Sequence, residues 1–194
     1  NLKSGSGRGA HPACHSEPVK QIETTAGYLE HSMTEEGKRK RYQRIVEQLE
    51  ALLVKSNDRT AHCATVAAVL HHKVPGVSWT GFYFIKGGDL VVDAYQGPVA
   101  CQVLENHKGV CWAAIDNDAT QIVADVHAFP DHIACDDRSR SEVVVPIHDS
   151  AGTPFGVLDI DSHRENHFDE VDGAGYEAVV RLLETTWNTP RSET

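Results

Sequence analysis

The sequence predicts an α+β fold, a mixed α/β sandwich built around a largely antiparallel sheet. Two segments with helical spacing of apolar residues come first, about six short β-branched segments follow, and a last segment returns to helical spacing. The 194 residues suffice for one domain with a substantial core. We expect residues 1–33 to be a flexible N-terminal extension, since they lack periodicity, and residues 34–194 to form the folded domain.

Composition and charge exclude some functions. The formal net charge of −10 argues against a nucleic-acid partner, which needs clustered cations. The one basic cluster is predicted to be the solvated face of a helix; it consists of Lys38, Arg39, Lys40, Arg41 and Arg44. No apolar run approaches the roughly 20 residues of a membrane helix, and the first thirty residues lack the apolar centre of a signal peptide. We therefore expect a cytoplasmic protein without a membrane partner.

Two helices are predicted to open the domain. The first spans residues 34–56, with acidic residues early, where the helix dipole favours them. Its apolar residues recur at helical spacing and are Tyr42, Ile45, Val46, Leu49, Leu52 and Leu53. Asp58 is the predicted N-cap of the second helix, over residues 59–74, in which Cys63 is core filler.

The chain then changes to strand-like spacing. Residues 78–85 and 90–97 flank a glycine-rich turn and predict a β-hairpin. A third extended segment is predicted over residues 99–105 and carries Cys101. After it, a glycine turn leads into a short helix, with Cys111 near its start.

The last part of the chain predicts three more strands and a helix. Residues 121–126 and 141–149 are short β-branched runs, and residues 153–161 form a second hairpin with the latter. Residues 167–187 predict the closing helix, capped by Asp169. Its predicted buried face consists of Val179, Val180, Leu182 and Leu183.

A loop between two of these strands has the composition of a functional site. Residues 121–142 include Cys135, followed at once by two acidic residues and shortly by Glu142. Reactive side chains on a loop between rigid strands are a common arrangement for function. A zinc site is one alternative, with His127, His132 and Cys135 as ligands and Asp125 and Asp136 nearby. No paired CxxC or HExxH motif supports it, so we predict no metal.

Three cysteines lie in the β-rich half of the chain. Cys101, Cys111 and Cys135 each fall near a predicted strand end or turn. A thiol redox cycle needs a reactive thiol and a second thiol that reaches it after oxidation. The alternative is that all three are independent buried cysteines. Cys14, in the N-terminal extension, is expected to have no role.

Acidic and aromatic residues complete the candidate site. Clustered carboxyl groups raise one another's pKa, so that one can stay protonated and act as a general acid. Glu142, Asp159 and Asp161 are the candidates; the two aspartates share one face of a strand, although hydrogen bonds in turns or caps would also explain them. Trp79 and Tyr83 share one face of the first strand, either as core or as an aromatic wall for a small ligand.

Four motifs resemble the free methionine-R-sulfoxide reductases, which are catalytic members of the GAF-domain superfamily. The motifs are GFYF at 81–84, QGPVACQVLENHKGVC at 96–111, QIVADVHAFPDHIACDDRSRSEVVVPI at 121–147 and PFGVLDIDS at 154–162. The resemblance covers roughly Tyr42 to Glu184. It implies a GAF-like catalytic domain over residues 34–194, with a central antiparallel sheet flanked by helices and a pocket roofed by the loop around Cys135.

The resemblance also implies roles for individual residues. Cys135 would be the nucleophile, Cys101 the main resolving thiol and Cys111 an additional resolving partner. The family's acids match Glu142, Asp159 and Asp161, as catalytic and substrate-binding groups. Its aromatic pair in the substrate site matches Trp79 and Tyr83.

The implied reaction is reduction of free L-methionine-R-sulfoxide through a cysteine sulfenic acid and an intramolecular disulfide. No bound cofactor is expected; an external dithiol protein of the thioredoxin type would reduce the disulfide, and the protein would be a homodimer. The rival interpretation is a non-catalytic GAF sensor that binds a small ligand. Three cysteines in this pattern favour the enzyme.

Overall fold

The structure is a computed structural model that describes residues 33–131 and 136–189. The predicted N-terminal extension with Cys14 lies outside the described residues, apart from Met33, and so do His132 and Cys135. No helix in the two described ranges is long and apolar enough to cross a membrane.

The helices and strands follow one another along the chain in the predicted order. The helices are α1 (Glu35–Leu53), α2 (Arg59–Lys73), α3 (Gly109–Asn117) and α4 (Glu170–Asn188). The strands are β1 (Val77–Lys86), β2 (Asp89–Gln96), β3 (Val103–Leu104), β4 (Gln121–Val123), β5 (Ser141–His148) and β6 (Pro154–Ser162).

The six strands form one sheet in the order β3-β2-β1-β6-β5-β4. Every pairing is antiparallel, which confirms the predicted fold class. Both predicted hairpins, β1–β2 and β5–β6, are present. The long central strands β1 and β6 are neighbours although residues 87–153 lie between them, so residues distant in sequence meet at the middle of the sheet.

The ends of the helices follow from their sequences. Thr34 caps α1 by accepting from the Gly37 N–H, and Asp58 caps α2 in the same way, as predicted. Asp169 caps α4 by accepting from the Val171 and Asp172 N–H groups, and the Asp172 side chain accepts from the Asp169 N–H, which makes a reciprocal capping box.

The α1 and α4 helices are joined by a buried polar contact at their N-terminal ends. The Tyr42 hydroxyl donates to Asp172 Oδ1 at 2.9 Å, and the Lys38 ammonium bridges Asp172 and Asp169. Lys38 is therefore not part of a purely solvated basic face, unlike Arg39 and Lys40, which are exposed. The predicted apolar face of α1 is buried or partly buried except for Leu52, which is 39% exposed.

Side-chain alternation along the strands divides the sheet into two faces. Helices α1, α2 and α4 cover one face, where Phe82, Phe84 and Leu158 pack with the fully buried Cys63, as predicted for that cysteine. The opposite face carries Trp79, Tyr83 and Val157 and packs against α3. Because strand residues alternate between faces, the residues of β1 and β6 divide as predicted.

Two predicted strands are shorter than expected. The extended segment over residues 99–105 contains only the two-residue strand β3, and Cys101 lies outside it. Gly97 adopts φ +125° and Pro98 has no N–H donor, so the chain leaves the sheet after β2. The β4 strand ends at Val123 because Asp125 starts a 3₁₀ turn by accepting from the His127 N–H.

Candidate active site

Sheet register brings the predicted acidic residues together. Asp161 lies between Glu142 of β5 and Trp79 of β1 in one row across three strands. Asp159 lies in the next row of the same face, opposite Gly81. Residues 142 and 161 lie near the outer ends of the β5–β6 hairpin, and its antiparallel register makes them neighbours.

The three acidic residues differ in their surroundings. Glu142 and Asp159 are each only 6% exposed, and one carboxyl oxygen of each lies within 4.8 Å of the other. Asp161 is partly buried and lines the same pocket as Ser139, whose side chain favours its ionised form. The buried Cys111, presented by the first turn of α3, places its Sγ 3.5 Å from Asp159 Oδ2.

Burial strongly raises the pKa values of the three acidic residues and of Cys111. It raises the pKa of Glu142 and that of Asp161 well above their ordinary values, and the negative charge of Asp159 adds to both shifts. Burial also raises the pKa of Asp159, to about 7. The pKa of the Cys111 thiol is raised by burial and by the neighbouring carboxylates. At neutral pH the cluster therefore holds protons on carboxyl groups, as a general acid must.

An aromatic wall stands beside the acids. Trp79 stacks on Tyr83 at 5.9 Å between ring centroids and on Tyr95 at 5.4 Å. Gly81 makes room for the indole, since a Cβ there would lie 2.3 Å from Trp79 Cη2. The Tyr83 hydroxyl donates to the Cys101 carbonyl oxygen at 3.2 Å, which links the wall to the segment carrying that cysteine.

These groups line one pocket on the α3 side of the sheet. Its empty volume is about 600 Å³, open mouth included. Five predicted residues line it directly: Trp79, Tyr83, Glu142, Asp159 and Asp161. A sixth, Cys111, lies at its wall beside the first residues of α3.

The cysteines fall into distinct states. Cys101 is half-buried and disulfide-bonded. Cys63 and Cys111 are free thiols, and both are buried. Cys135 lies outside the described residues.

Several pocket residues were not predicted from the sequence. Lys108 and Gly109 belong to the start of α3, whose first N–H groups have no partners within the helix and suit an anion. Ser139 also lines the pocket, and its side chain favours the ionised form of Asp161. Asp136, first considered as a metal ligand, lines the pocket with its pKa lowered to about 2 by hydrogen bonds from Arg138. A glycine turn before a short helix was the available signal for the α3 site.

The described residues do not test the zinc alternative on the loop. His127 is exposed, and the other two proposed ligands, His132 and Cys135, lie outside the described residues. Within residues 33–131 and 136–189, one group of three donors lies close enough for a metal ion, namely Cys111, Glu142 and Asp159.

Comparison with known proteins identifies relatives over most of the chain. Residues 60–184 match the family described as GAF domain. Protein YtsP of Bacillus subtilis (strain 168) is 46% identical over 137 residues, which cover 70% of this chain and 83% of the relative. The free methionine-R-sulfoxide reductase of Escherichia coli (strain K12) is 36% identical over 134 residues, which cover 69% of this chain and 81% of that enzyme.

A solved structure gives the same result. The free methionine-R-sulfoxide reductase from Neisseria meningitidis, in complex with its substrate, matches with a TM-score of 0.74 at 38% identity. The match covers 77% of this chain and 90% of that one. Sequence and backbone geometry thus point to the same group of relatives.

Proposed function

This chain belongs to the GAF domain family and, within it, to the free methionine-R-sulfoxide reductases, and from that premise we propose that it reduces free L-methionine-R-sulfoxide to L-methionine. The named relatives support an oxidoreductase over a pure sensor. The observation that carries the proposal is the pocket itself. It contains three carboxyl groups of raised pKa beside an aromatic wall, and the Tyr83 of that wall donates to the carbonyl oxygen of the disulfide-bonded Cys101.

The first step is oxygen transfer to Cys135. Its sulfur attacks the sulfoxide sulfur while a protonated carboxyl among Glu142, Asp159 and Asp161 donates a proton to the sulfoxide oxygen. The oxygen then passes from the substrate sulfur to the Cys135 sulfur while the transient bond between the two sulfur atoms breaks, so methionine leaves and Cys135 becomes a sulfenic acid. The oxygen atom thus passes to the enzyme and two electrons pass to the substrate. Raised pKa values support the acid role, because a carboxyl group of ordinary pKa is ionised at neutral pH.

The second step converts the sulfenic acid into a disulfide. The Cys101 thiol attacks the Cys135 sulfenic acid, water leaves, and a disulfide forms. The disulfide-bonded state of Cys101 supports its assignment as the resolving thiol. Cys111 is the additional resolving partner; it is buried at the pocket wall and free in this state. An external dithiol protein of the thioredoxin type then reduces the disulfide, and no bound cofactor takes part.

The pocket also supports recognition of a free amino acid. Trp79 and Tyr83 provide an apolar surface for the S-methyl end of the substrate. The oxygens of the carboxyl cluster accept hydrogen bonds from its ammonium group, and the N-terminus of α3 at Gly109 suits its carboxylate. A peptide-bound methionine sulfoxide lacks both charged groups, so the free form is preferred. A cytoplasmic homodimer completes the proposal, by resemblance to the family.

The direct test is NADPH oxidation coupled through thioredoxin reductase and thioredoxin. Free L-methionine-R-sulfoxide, its S epimer and a blocked peptide form serve as parallel substrates. We expect turnover on the free R form, none in Cys135→Ser, and one stoichiometric turnover in Cys101→Ser. The matched control is Cys14→Ser, which replaces a thiol of the N-terminal extension and should retain full activity.

Two results would contradict the proposal. Equal multiple turnover in Cys135→Ser and Cys101→Ser would remove both cysteines from the mechanism. No turnover on any substrate, with thioredoxin or with a chemical dithiol, would favour a GAF domain that binds its ligand without reducing it.

A further inference from the structure

The cluster at the base of the pocket combines a thiol with two carboxyl groups. Cys111 Sγ and one oxygen each of Glu142 and Asp159 lie within 4.8 Å of one another. They come from α3, β5 and β6, so three elements converge on one point. All three residues are at least nine-tenths buried.

One atom of the cluster has no partner. Asp159 Oδ1 is fully buried and makes no hydrogen bond in the part of the chain that is described, although its sister oxygen contacts Cys111. A buried polar oxygen without a partner costs free energy. The residue lines the pocket, so a ligand there would supply the missing interaction.

The spacing of the donors fits a tetrahedral cation. With metal–sulfur and metal–oxygen bonds of roughly 2.3 and 2.0 Å, a tetrahedral zinc centre separates a sulfur ligand from an oxygen ligand by roughly 3.5 Å. Cys111 Sγ and Asp159 Oδ2 are 3.5 Å apart. The third donor, on Glu142, lies close enough to join them after a small side-chain movement.

We propose that Cys111, Glu142 and Asp159 form a Zn²⁺ site in this pocket, and that its occupation excludes the substrate. A thiolate with two carboxylates suits zinc better than Mg²⁺ or Ca²⁺, which take oxygen ligands alone. Three protein ligands leave a fourth position for water on the pocket side.

The inhibitory part of this inference rests on the proposed function. Two groups assigned there to substrate and proton transfer, Glu142 and Asp159, become metal ligands. The cation and the substrate ammonium then compete for the same carboxylates. Cys111, as a bound thiolate, also loses its role as an additional resolving thiol.

Cobalt substitution tests the site without reference to activity. Co²⁺ replaces Zn²⁺ in tetrahedral sites, and a thiolate ligand gives it a charge-transfer absorption in the near ultraviolet. The experiment uses the full chain carrying Cys14→Ser in its disulfide form, in which Cys63 and Cys111 are free thiols. We expect the absorption to appear with Co²⁺ and to disappear when Zn²⁺ is added.

Variants assign the ligands. Cys111→Ser should abolish the absorption, and Glu142→Gln should weaken Co²⁺ binding at least about tenfold. Cys63→Ala, in the core on the other face of the sheet, and Asp161→Asn, in the same pocket, are the controls and should retain it. Circular dichroism and thermal melting verify that each variant is folded. No absorption in the parent, its retention in Cys111→Ser, or its loss in either folded control would overturn the assignment.

A single-turnover assay separates the site from its effect. Pre-reduced enzyme, freed of reductant, converts free methionine-R-sulfoxide at a half-saturating concentration with and without Zn²⁺. We expect Zn²⁺ to slow conversion and excess substrate to restore it; inhibition that substrate does not relieve would overturn the competition. A Cys111-dependent absorption in a protein without reductase activity would uphold the site and reject the proposed function, whereas activity without the absorption would do the opposite.

Discussion

Substitution of Gly81 by alanine should damage the substrate pocket by displacing one aromatic ring. Gly81 lies at the centre of β1, opposite Asp159, and the Trp79 indole covers it. An added Cβ would lie 2.3 Å from Trp79 Cη2 and 2.5 Å from the Cβ of Tyr95. The edge of the indole can move aside, whereas the Tyr95 Cβ is fixed to the backbone of β2, so the added methyl group also strains the pairing of β1 with β2.

The size of the displacement follows from contact distances. Nonbonded carbons approach to about 3.5 Å, so a 2.3 Å separation requires the ring edge to move by more than an ångström. Overpacking of this kind costs about 1–3 kcal/mol of stability. A misplacement of about 1 Å at a reacting centre can reduce the rate about a hundredfold. We therefore expect Gly81→Ala to lower kcat/KM by one to two orders of magnitude, on the order of that limit.

Gly156→Ala is the matched control. Its Cβ would lie 2.3 Å from Phe84 Cδ1, an equally severe overlap, and 2.7 Å from the backbone oxygen of Tyr83, but the displaced ring is that of Phe84, which packs on the helix-covered face of the sheet. Each variant is measured by thermal melting and by the thioredoxin-coupled assay. Both should melt about 2–4 °C lower for each kcal/mol lost, and only Gly81→Ala should lose most of its kcat/KM.

Two results would refute this reasoning. Unchanged kcat/KM in Gly81→Ala would show that the position of the Trp79 ring is unimportant for the reaction. An equal loss of kcat/KM in both variants would assign the effect to general destabilisation.

Two further predictions concern stability as a function of pH. Folding raises the pKa of Asp159 from 3.8 to about 7, so the stability that its protonated form contributes is present below about 3.8 and lost as pH rises through about 7. Urea denaturation should therefore show that Asp159→Asn is more stable than the wild type at pH 8 and not at pH 4. A difference in stability that stays constant between these pH values would contradict this. Partial burial opposes the charge of His148, but hydrogen bonds to Asp118 and Glu184 outweigh burial and raise its pKa above 6.5. The charged imidazole stabilises the fold by about 1 kcal/mol or less, because Asp118 is exposed. This stabilisation is present below pH 6.5 and is lost as pH rises through the pKa of His148 in the folded protein. His148→Gln should be less stable than the wild type at pH 5.5 and equally stable at pH 9, and lower stability of the variant at pH 9 would argue against this.

The sequence by itself determined the elements and their faces. Helix caps at Asp58 and Asp169 are local hydrogen-bonding patterns, and the structure has them where they were predicted. Strict alternation in β6 placed Asp159 and Asp161 on one face. Such features depend on residues a few positions apart, so their spacing alone specifies them.

Family motifs supplied the site residues that periodicity did not specify. They named Trp79, Tyr83, Glu142, Asp159 and Asp161 together, and the structure places all five around one pocket. Their roles in the reaction remain predictions.

Only the tertiary structure decided how these residues are arranged. Antiparallel pairing of β5 with β6 sets Glu142 opposite Asp161, and packing of α3 on the sheet brings Cys111 to Asp159. Burial by these neighbours raises the carboxyl pKa values, and desolvation depends on everything that surrounds a group. Sequence spacing cannot report which distant surfaces exclude water from these carboxyl groups.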